Sequence, residues 1–225
     1  MKEISGKQVY STLTEVVNPK HTAILVIDMQ KDFCSKGGYF DKAGIDITNG
    51  QKTLPRMIRL VDAGRENGVK IVWIQNTTLR DGLSDSPAWL YLKVKAGLSK
   101  PGPYTLDGDW GQELAEGLAM KPGEPLVQKH RSSAFVSTDL DLILRSLMVQ
   151  SVICIGTVTG GCVMMTALNA MHYNYYTVVA SDCVCAPAAP AVWAALGEPA
   201  LDIMRLLAEV TTAEEIIKAW KMKEY

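Results

Sequence analysis

The stretch Thr22-Ala23-Ile24-Leu25-Val26-Ile27-Asp28-Met29-Gln30 decides how this chain is read, because an unbroken apolar run of strand length ends there on a carboxylate. No polar residue alternates within the run, so the strand is predicted to be covered on both faces, as in a parallel sheet flanked by helices. Runs of the same kind recur at Val69–Ile74, Pro125–Val127, Ser151–Ile155 and Thr177–Ala180, and more weakly at Leu206–Val210. Helical patterns fall between and after them, at Gly50–Glu66, Asp139–Met148, Cys162–Met171, Ala189–Met204 and Ala213–Trp220. Gly68 is placed as a C-cap and Ser137 or Thr138 as an N-cap. The alternation predicts an α/β protein with three layers, a doubly wound α/β/α fold around a mainly parallel six-stranded sheet.

Composition agrees with that architecture. Of 225 residues, 48% are hydrophobic and 21% charged, enough to bury a full core in one domain spanning 1–225. Residues 1–20 read as an N-terminal extension. The stretch 81–106 breaks the rhythm with Pro87, Pro101 and Pro103 and with Trp89, Tyr91 and Tyr104, and reads as a lid, a subunit contact or a packed excursion. The 23 basic and 24 acidic residues are dispersed, which argues against nucleic acid or an anionic membrane as partner and for a small-molecule substrate. No apolar run reaches the ~20 residues of a membrane span, and no secretory h-region opens the chain, so a cytoplasmic protein is expected. Five cysteines, Cys34, Cys154, Cys162, Cys183 and Cys185, are an odd set and read as reduced thiols. A homo-oligomer, dimer or tetramer, is expected.

Ligands of doubly wound sheets sit beyond the carboxyl ends of the strands, where the strand order reverses. Three reactive side chains fall at such ends: Asp28 after the first strand, Lys129 after the third, and Cys162 at the helix that follows the fourth. A thiol at a helix N-terminus faces the positive end of the dipole, which favours thiolate, and a nearby ammonium would favour it further. A carboxylate in reach could carry the proton from thiol to leaving nitrogen. Taken singly, each residue has a bland reading as strand-end cap, solvated lysine or packing cysteine. Their joint placement after three strands carries the argument.

The segments Val26-Ile27-Asp28-Met29-Gln30-Lys31-Asp32-Phe33, Lys129-His130-Arg131-Ser132-Ser133-Ala134-Phe135 and Gly156-Thr157-Val158-Thr159-Gly160-Gly161-Cys162-Val163 resemble, in order and spacing, the isochorismatase-like cysteine hydrolases. The resemblance spans roughly Thr22 to Ala186. It implies an Asp28, Lys129, Cys162 catalytic triad, a cis peptide at Thr157–Val158, and an oxyanion hole from the Val158 and Cys162 amides. The implied activity is hydrolysis of a C–N bond in a small amide, ureido or N-carbamoyl compound through a covalent acyl-enzyme. Ureidoacrylate amidohydrolases look closest, with biuret hydrolases and N-carbamoylsarcosine amidases similar. Ser132 stands where that group has a tyrosine, and Gly160-Gly161 replaces bulkier polar residues, both changes touching the pocket. A catalytically silent binding or scaffold relative is the alternative.

Other positions complete the expectations. Phe33, Asn76, Gln30 and Arg131 are candidate substrate-binding residues, Arg131 through paired hydrogen bonds to a carboxylate. Cys183 and Cys185 lack a second ligand pair, and His21, His130 and His172 form no metal cluster, so no metal or other cofactor is expected. Cys34 lines the pocket or packs, Cys154 packs, and His130 supports. No Gly-x-Gly-x-x-Gly turn follows the first strand, which sets a dinucleotide-binding oxidoreductase aside.

Overall fold

The N-terminal extension is ordered. Strands β1 (Lys2–Ile4) and β2 (Lys7–Val9) pair antiparallel across Ser5 and Gly6, whose positive φ angles suit a two-residue hairpin turn. Helix α1 (Leu13–Val16) begins on a capping box formed by Thr12 and Glu15. The computed structural model describes residues 1–98 and 102–222; within the predicted insertion, residues 99–101, Pro101 included, lie outside the described residues.

The decisive run is strand β3 (Thr22–Ile27), buried along its whole length. Helices α2 (Lys31–Cys34), α3 (Tyr39–Lys42) and α4 (Thr48–Glu66) follow. Then come β4 (Lys70–Asn76), α5 (Pro87–Lys95), β5 (Leu126–Lys129) and α6 (Leu140–Ser146). The chain continues through β6 (Ser151–Thr157), α7 (Met164–His172), β7 (Tyr176–Cys185), α8 (Ala191–Ala194), α9 (Glu198–Met204), β8 (Glu209–Thr211) and α10 (Ala213–Lys221). The six strands β3 to β8 form one sheet in the order β5-β4-β3-β6-β7-β8, every neighbouring pair parallel.

Alternate residues of the strands feed two cores. Ile24, Val26, Ile71, Trp73 and Ile153 pack with Met57, Leu60 and Val61 of α4 and Ile216, Ile217 and Trp220 of α10. Ala23, Leu25, Ile27, Val72 and Cys154 pack with Leu140 and Leu144 of α6, Ala167 and Ala170 of α7, and Leu201 and Met204 of α9. Helices on both faces of a parallel sheet therefore build the expected three-layer fold. The stripe Gly50, Thr53, Met57, Leu60, Val61, Gly64 on α4 shows the helical spacing behind its burial. Among the described residues no helix is long and apolar enough to cross a membrane.

Several boundaries differ from the sequence reading. The stretch 81–106 contains a regular element, α5, which Ser86 caps and Pro87 starts. The pattern over Ala189–Met204 is split into α8 and α9 at Gly197. The N-cap of α6 is Asp139, not Ser137 or Thr138, although the Thr138 hydroxyl accepts from the Leu140 N–H at 3.3 Å. Strand β8 starts later than the predicted Leu206, because Ile203 to Leu207 are consumed by the end of α9 and its turn. Gly68 lies just past the end of α4 with φ +78, as a helix stop requires.

Gly156 in β6 is held against Ile27 of β3 with φ +127, and a Cβ there would run into the Ile27 backbone carbonyl. Both the backbone conformation and the space demand glycine. Gly156→Ala is expected to cost about 3 kcal/mol or more of stability in urea unfolding, and a loss below about 1 kcal/mol would contradict this account.

Candidate active site

The sheet order reverses between β3 and β6, the two strands at its centre, so the crevice above their carboxyl ends is where this fold places a site. Asp28 is the first residue past β3. Its φ of 53° is left-handed, a conformation that aspartate tolerates better than most residues, and its N–H donates to the Ile74 carbonyl at 3.0 Å. The side chain is 1% exposed. Neither carboxylate oxygen has a donor in hydrogen-bond geometry among the described residues, but Lys129 Nζ stands 2.8 Å from Oδ2.

Lys129 ends β5, whose burial alternates residue by residue, so Gln128 faces out and Lys129 inward. It is fully buried, which removes the reading of a solvated strand-end lysine. Besides its contact with Asp28, Nζ donates to the Arg131 carbonyl at 3.0 Å and to Cys162 Sγ at 3.2 Å. One ammonium thus joins a carboxylate from β3 to a thiol from the segment after β6. Cys162 does not open α7 as predicted; it lies in a π-type turn, Thr159–Val163, that precedes it. The Thr157–Val158 peptide leading into that turn is cis. Cys162 is half-buried and lines a cavity of about 230 Å³.

Electrostatics qualify one expectation. Burial pushes the Cys162 thiol up to about 12; the neighbouring Asp28 adds to the rise and Lys129 opposes it. Burial thus works against the helix-end and ammonium effects that favour thiolate. Burial likewise raises Asp28 above the usual carboxylate range, against the pull of Lys129. Burial pulls the Lys129 ammonium down, yet its interactions with Asp28 and Cys162 outweigh it and hold its pKa above the ordinary value.

The four candidate substrate-binding residues divide. Phe33 and Asn76 line the cavity. Gln30 does not: its Nε2 donates to the carbonyls of Asn76 and Gln112 and its Oε1 accepts from the Asn76 N–H, each at 2.9 Å, so its amide ties the end of β4 to the loop before β5. Arg131 also falls outside the lining. Its Nη1 donates to the carbonyls of Ser84 (2.9 Å) and His130 (2.6 Å), and its guanidinium lies over the Trp89 ring at 4.9 Å. It fastens the segment before α5 to the end of β5, outside the cavity lining.

His130 Nδ1 contacts the Thr77 carbonyl at 2.6 Å, a supporting position. Cys34, Cys154, Cys183 and Cys185 are buried in the two cores, and Cys34 is absent from the cavity lining. No cluster of three or more His, Cys, Asp or Glu suited to a metal ion occurs among the described residues.

The cavity's other walls were not assigned from sequence. Phe40 of α3, Trp89 and Leu92 of α5, Tyr104, Trp193 and Leu196 enclose it. Gly160 explains how Leu196 reaches it: the Gly160 N–H donates to the Leu196 carbonyl at 2.7 Å, and a Cβ on residue 160 would stand 2.9 Å from Leu196 Cα. The glycine was visible in the sequence; the remote segment that packs against it was not. Asp32 is a second unassigned positioning group, accepting from the Tyr39 N–H at 2.9 Å and the Thr105 N–H at 2.6 Å.

Comparison with known proteins identifies the family. The ureidoacrylate amidohydrolase RutB of Agrobacterium fabrum is 31% identical over 174 residues, 74% of this chain and 76% of the relative. The structure of a cysteine hydrolase from Pseudomonas syringae pv. phaseolicola superposes with a TM-score of 0.74 at 27% identity, covering 92% of this chain and 95% of that one. An N-carbamoylsarcosine amidase from Thermoplasma acidophilum shares the fold, with a TM-score of 0.67 at 24% identity over 86% of this chain and 97% of that one. The isochorismatase domain profile matches residues 22–215, from the first residue of β3 into α10, and the chain belongs to the isochorismatase family.

Proposed function

We propose that this protein is a cysteine-dependent amidohydrolase that cleaves the C–N bond of a small amide, ureido or N-carbamoyl compound through a covalent acyl-enzyme on Cys162. One observation carries the reading: Lys129 Nζ lies 2.8 Å from Asp28 Oδ2 and 3.2 Å from Cys162 Sγ at the wall of a cavity. A buried ion pair beside a lone thiol is costly to fold, and a nucleophile, its base and an electrostatic clamp give it a purpose.

In this mechanism Asp28 takes the Cys162 proton as sulfur bonds to the substrate carbonyl carbon, so that thiolate forms only when an electrophile is in place. The carbonyl electron pair moves to oxygen, which the Val158 and Cys162 N–H groups receive. Collapse breaks the C–N bond while Asp28 returns the proton to nitrogen, releasing ammonia or an amine. Water then attacks the thioester, giving its proton to Asp28, and departing sulfur recovers a proton. Lys129 stays an ammonium throughout. Trp89 and Leu92 of α5 wall the cavity, which supports a lid role for the 81–106 segment.

The raised carboxyl of Asp28 predicts a pH dependence. A base works ionised, so kcat/KM rises as pH climbs through a pKa displaced upward from 3.8 by burial. The acid limb is expected above the ordinary carboxylate range; a limb at or below pH 3.8 would remove Asp28 as the base. Acid-quenched mass spectrometry during amide turnover tests the intermediate, with an acyl adduct expected on the peptide holding Cys162. Turnover that never loads that peptide would argue for direct attack by water.

A further inference from the structure

Charge accounting around the cavity limits what it accepts. The cation in its lining is Lys93, whose Nζ is taken by both oxygens of Asp85 at 2.8 and 2.9 Å and lies over the Tyr104 ring at 4.7 Å. Lys93 and Asp85 are 8% and 9% exposed, a buried neutral pair. Lys129 spends its ammonium on Asp28, Cys162 and the Arg131 carbonyl, and Arg131 faces Ser84, His130 and Trp89. Lys93 is thus paired, Lys129 is engaged with Asp28, and Arg131 lies outside the lining, so none of the three is placed to receive a substrate carboxylate in the cavity. An anion desolvated here without a partner would lose far more than it gained.

The rest of the lining is apolar and ring-rich. Phe33 and Phe40 stand 4.9 Å apart, Phe33 and Tyr104 5.7 Å, and Phe40 and Trp193 5.3 Å between centroids. Leu92 and Leu196 complete the walls, while Asn76 and Ser132 supply neutral hydrogen-bonding groups. At about 230 Å³ the space falls below the ~300–1,000 Å³ of drug-sized sites.

Resting on the amidohydrolase reading, we infer that the preferred substrate is a small uncharged amide or urea carrying an aliphatic or aromatic group, and that acidic ureido compounds are rejected. The apolar group lies among Phe33, Phe40, Tyr104 and Trp193, with the carbonyl at Cys162 and the amide within reach of Asn76 and Ser132. The inference departs from the acidic compound in the name of the relatives, because the cation that lines the cavity, Lys93, is already paired with Asp85.

A matched pair tests it: 4-methylpentanamide and succinamate present the same carboxamide and chain, one ending in an isopropyl group and the other in a carboxylate. Ammonia release by the full-length protein is expected to favour the neutral amide by about 100-fold or more in kcat/KM, with phenylacetamide also accepted. Faster hydrolysis of succinamate or ureidoacrylate would overturn the inference and leave the hydrolase reading standing. Calorimetric binding to Cys162→Ala separates the two claims. Tighter binding of the neutral member supports the inference even if the wild type turns over neither compound, a result that would count against the hydrolase reading alone. Equal or absent binding of both overturns it. Asp85→Asn unpairs Lys93 and is expected to narrow the preference by about 10-fold or more; an unchanged ratio would remove this pair as the source of charge selection.

Discussion

Cys162→Ala is expected to lower amide turnover by at least about 10⁴-fold while leaving the unfolding free energy within about 1 kcal/mol of the parent. The two halves come from one geometry. Sγ is half-buried and opens on the cavity, so truncation enlarges a space that already exists and leaves no sealed void. Lys129 keeps its contacts with Asp28 and the Arg131 carbonyl. Chemistry is lost entirely, because neither Asp28 nor Lys129 can form the acyl bond in its place. Ammonia release and urea unfolding on the same preparation measure both quantities. Activity within about 10-fold of the parent would dismiss Cys162 as the nucleophile.

The thiol's protonation bears on how such a variant is read. Its pKa near 12 means that iodoacetamide alkylation should rise steadily with pH through the neutral range, without the early plateau of a resting thiolate. A helix terminus beside the thiol favours thiolate, so this effect and burial oppose each other. Proximity of Cys162 to a helix start is a local property that a sequence displays. The burial that opposes it depends on the fold around Cys162, where segments remote in sequence, α5, Tyr104 and Leu196, share its cavity.

The same division runs through the fold. β3 was legible to its last residue because a strand covered on both faces is an unbroken apolar run that stops at the first charge, Asp28. β7 was cut short at Ala180 because Ser181 and Asp182 look like the end of a strand. It continues to Cys185 because the Ser181 hydroxyl donates to the Thr211 carbonyl and the Asp182 carboxylate accepts from the Ala213 N–H, so their polarity is satisfied across the sheet edge. Asp28, Lys129 and Cys162 could be placed together from strand ends alone, since a doubly wound sheet gathers those ends in one crevice. Gln30 and Arg131 could not be excluded that way. Their neighbours in sequence are site residues, and only the bonds to the carbonyls of Asn76, Gln112, Ser84 and His130 show that both side chains tie segments together outside the cavity lining.

Lys129→Ala is the more severe test, because it is expected to damage stability and chemistry together. Removing the ammonium leaves the Asp28 carboxylate at 1% exposure without its ionic partner, a change that costs about 3–5 kcal/mol when one member of a buried pair is deleted. Turnover is expected to fall by roughly 10²–10³-fold in the protein that remains folded, the loss typical of one transition-state donor. The thiol should also become harder to ionise, since Lys129 is the group opposing burial at Cys162. At any given pH, alkylation of the variant should therefore be slower than that of the parent. A general collapse of the fold could imitate the activity loss, so the decisive protein is the double variant Lys129→Met with Asp28→Asn. It removes both charges and refills the space, and is expected to recover most of the lost stability. If Lys129 and Asp28 are the clamp and base proposed for Cys162, that recovered protein stays inactive. If activity returns with stability, the ion pair serves the fold, and Cys162 must be activated by something else.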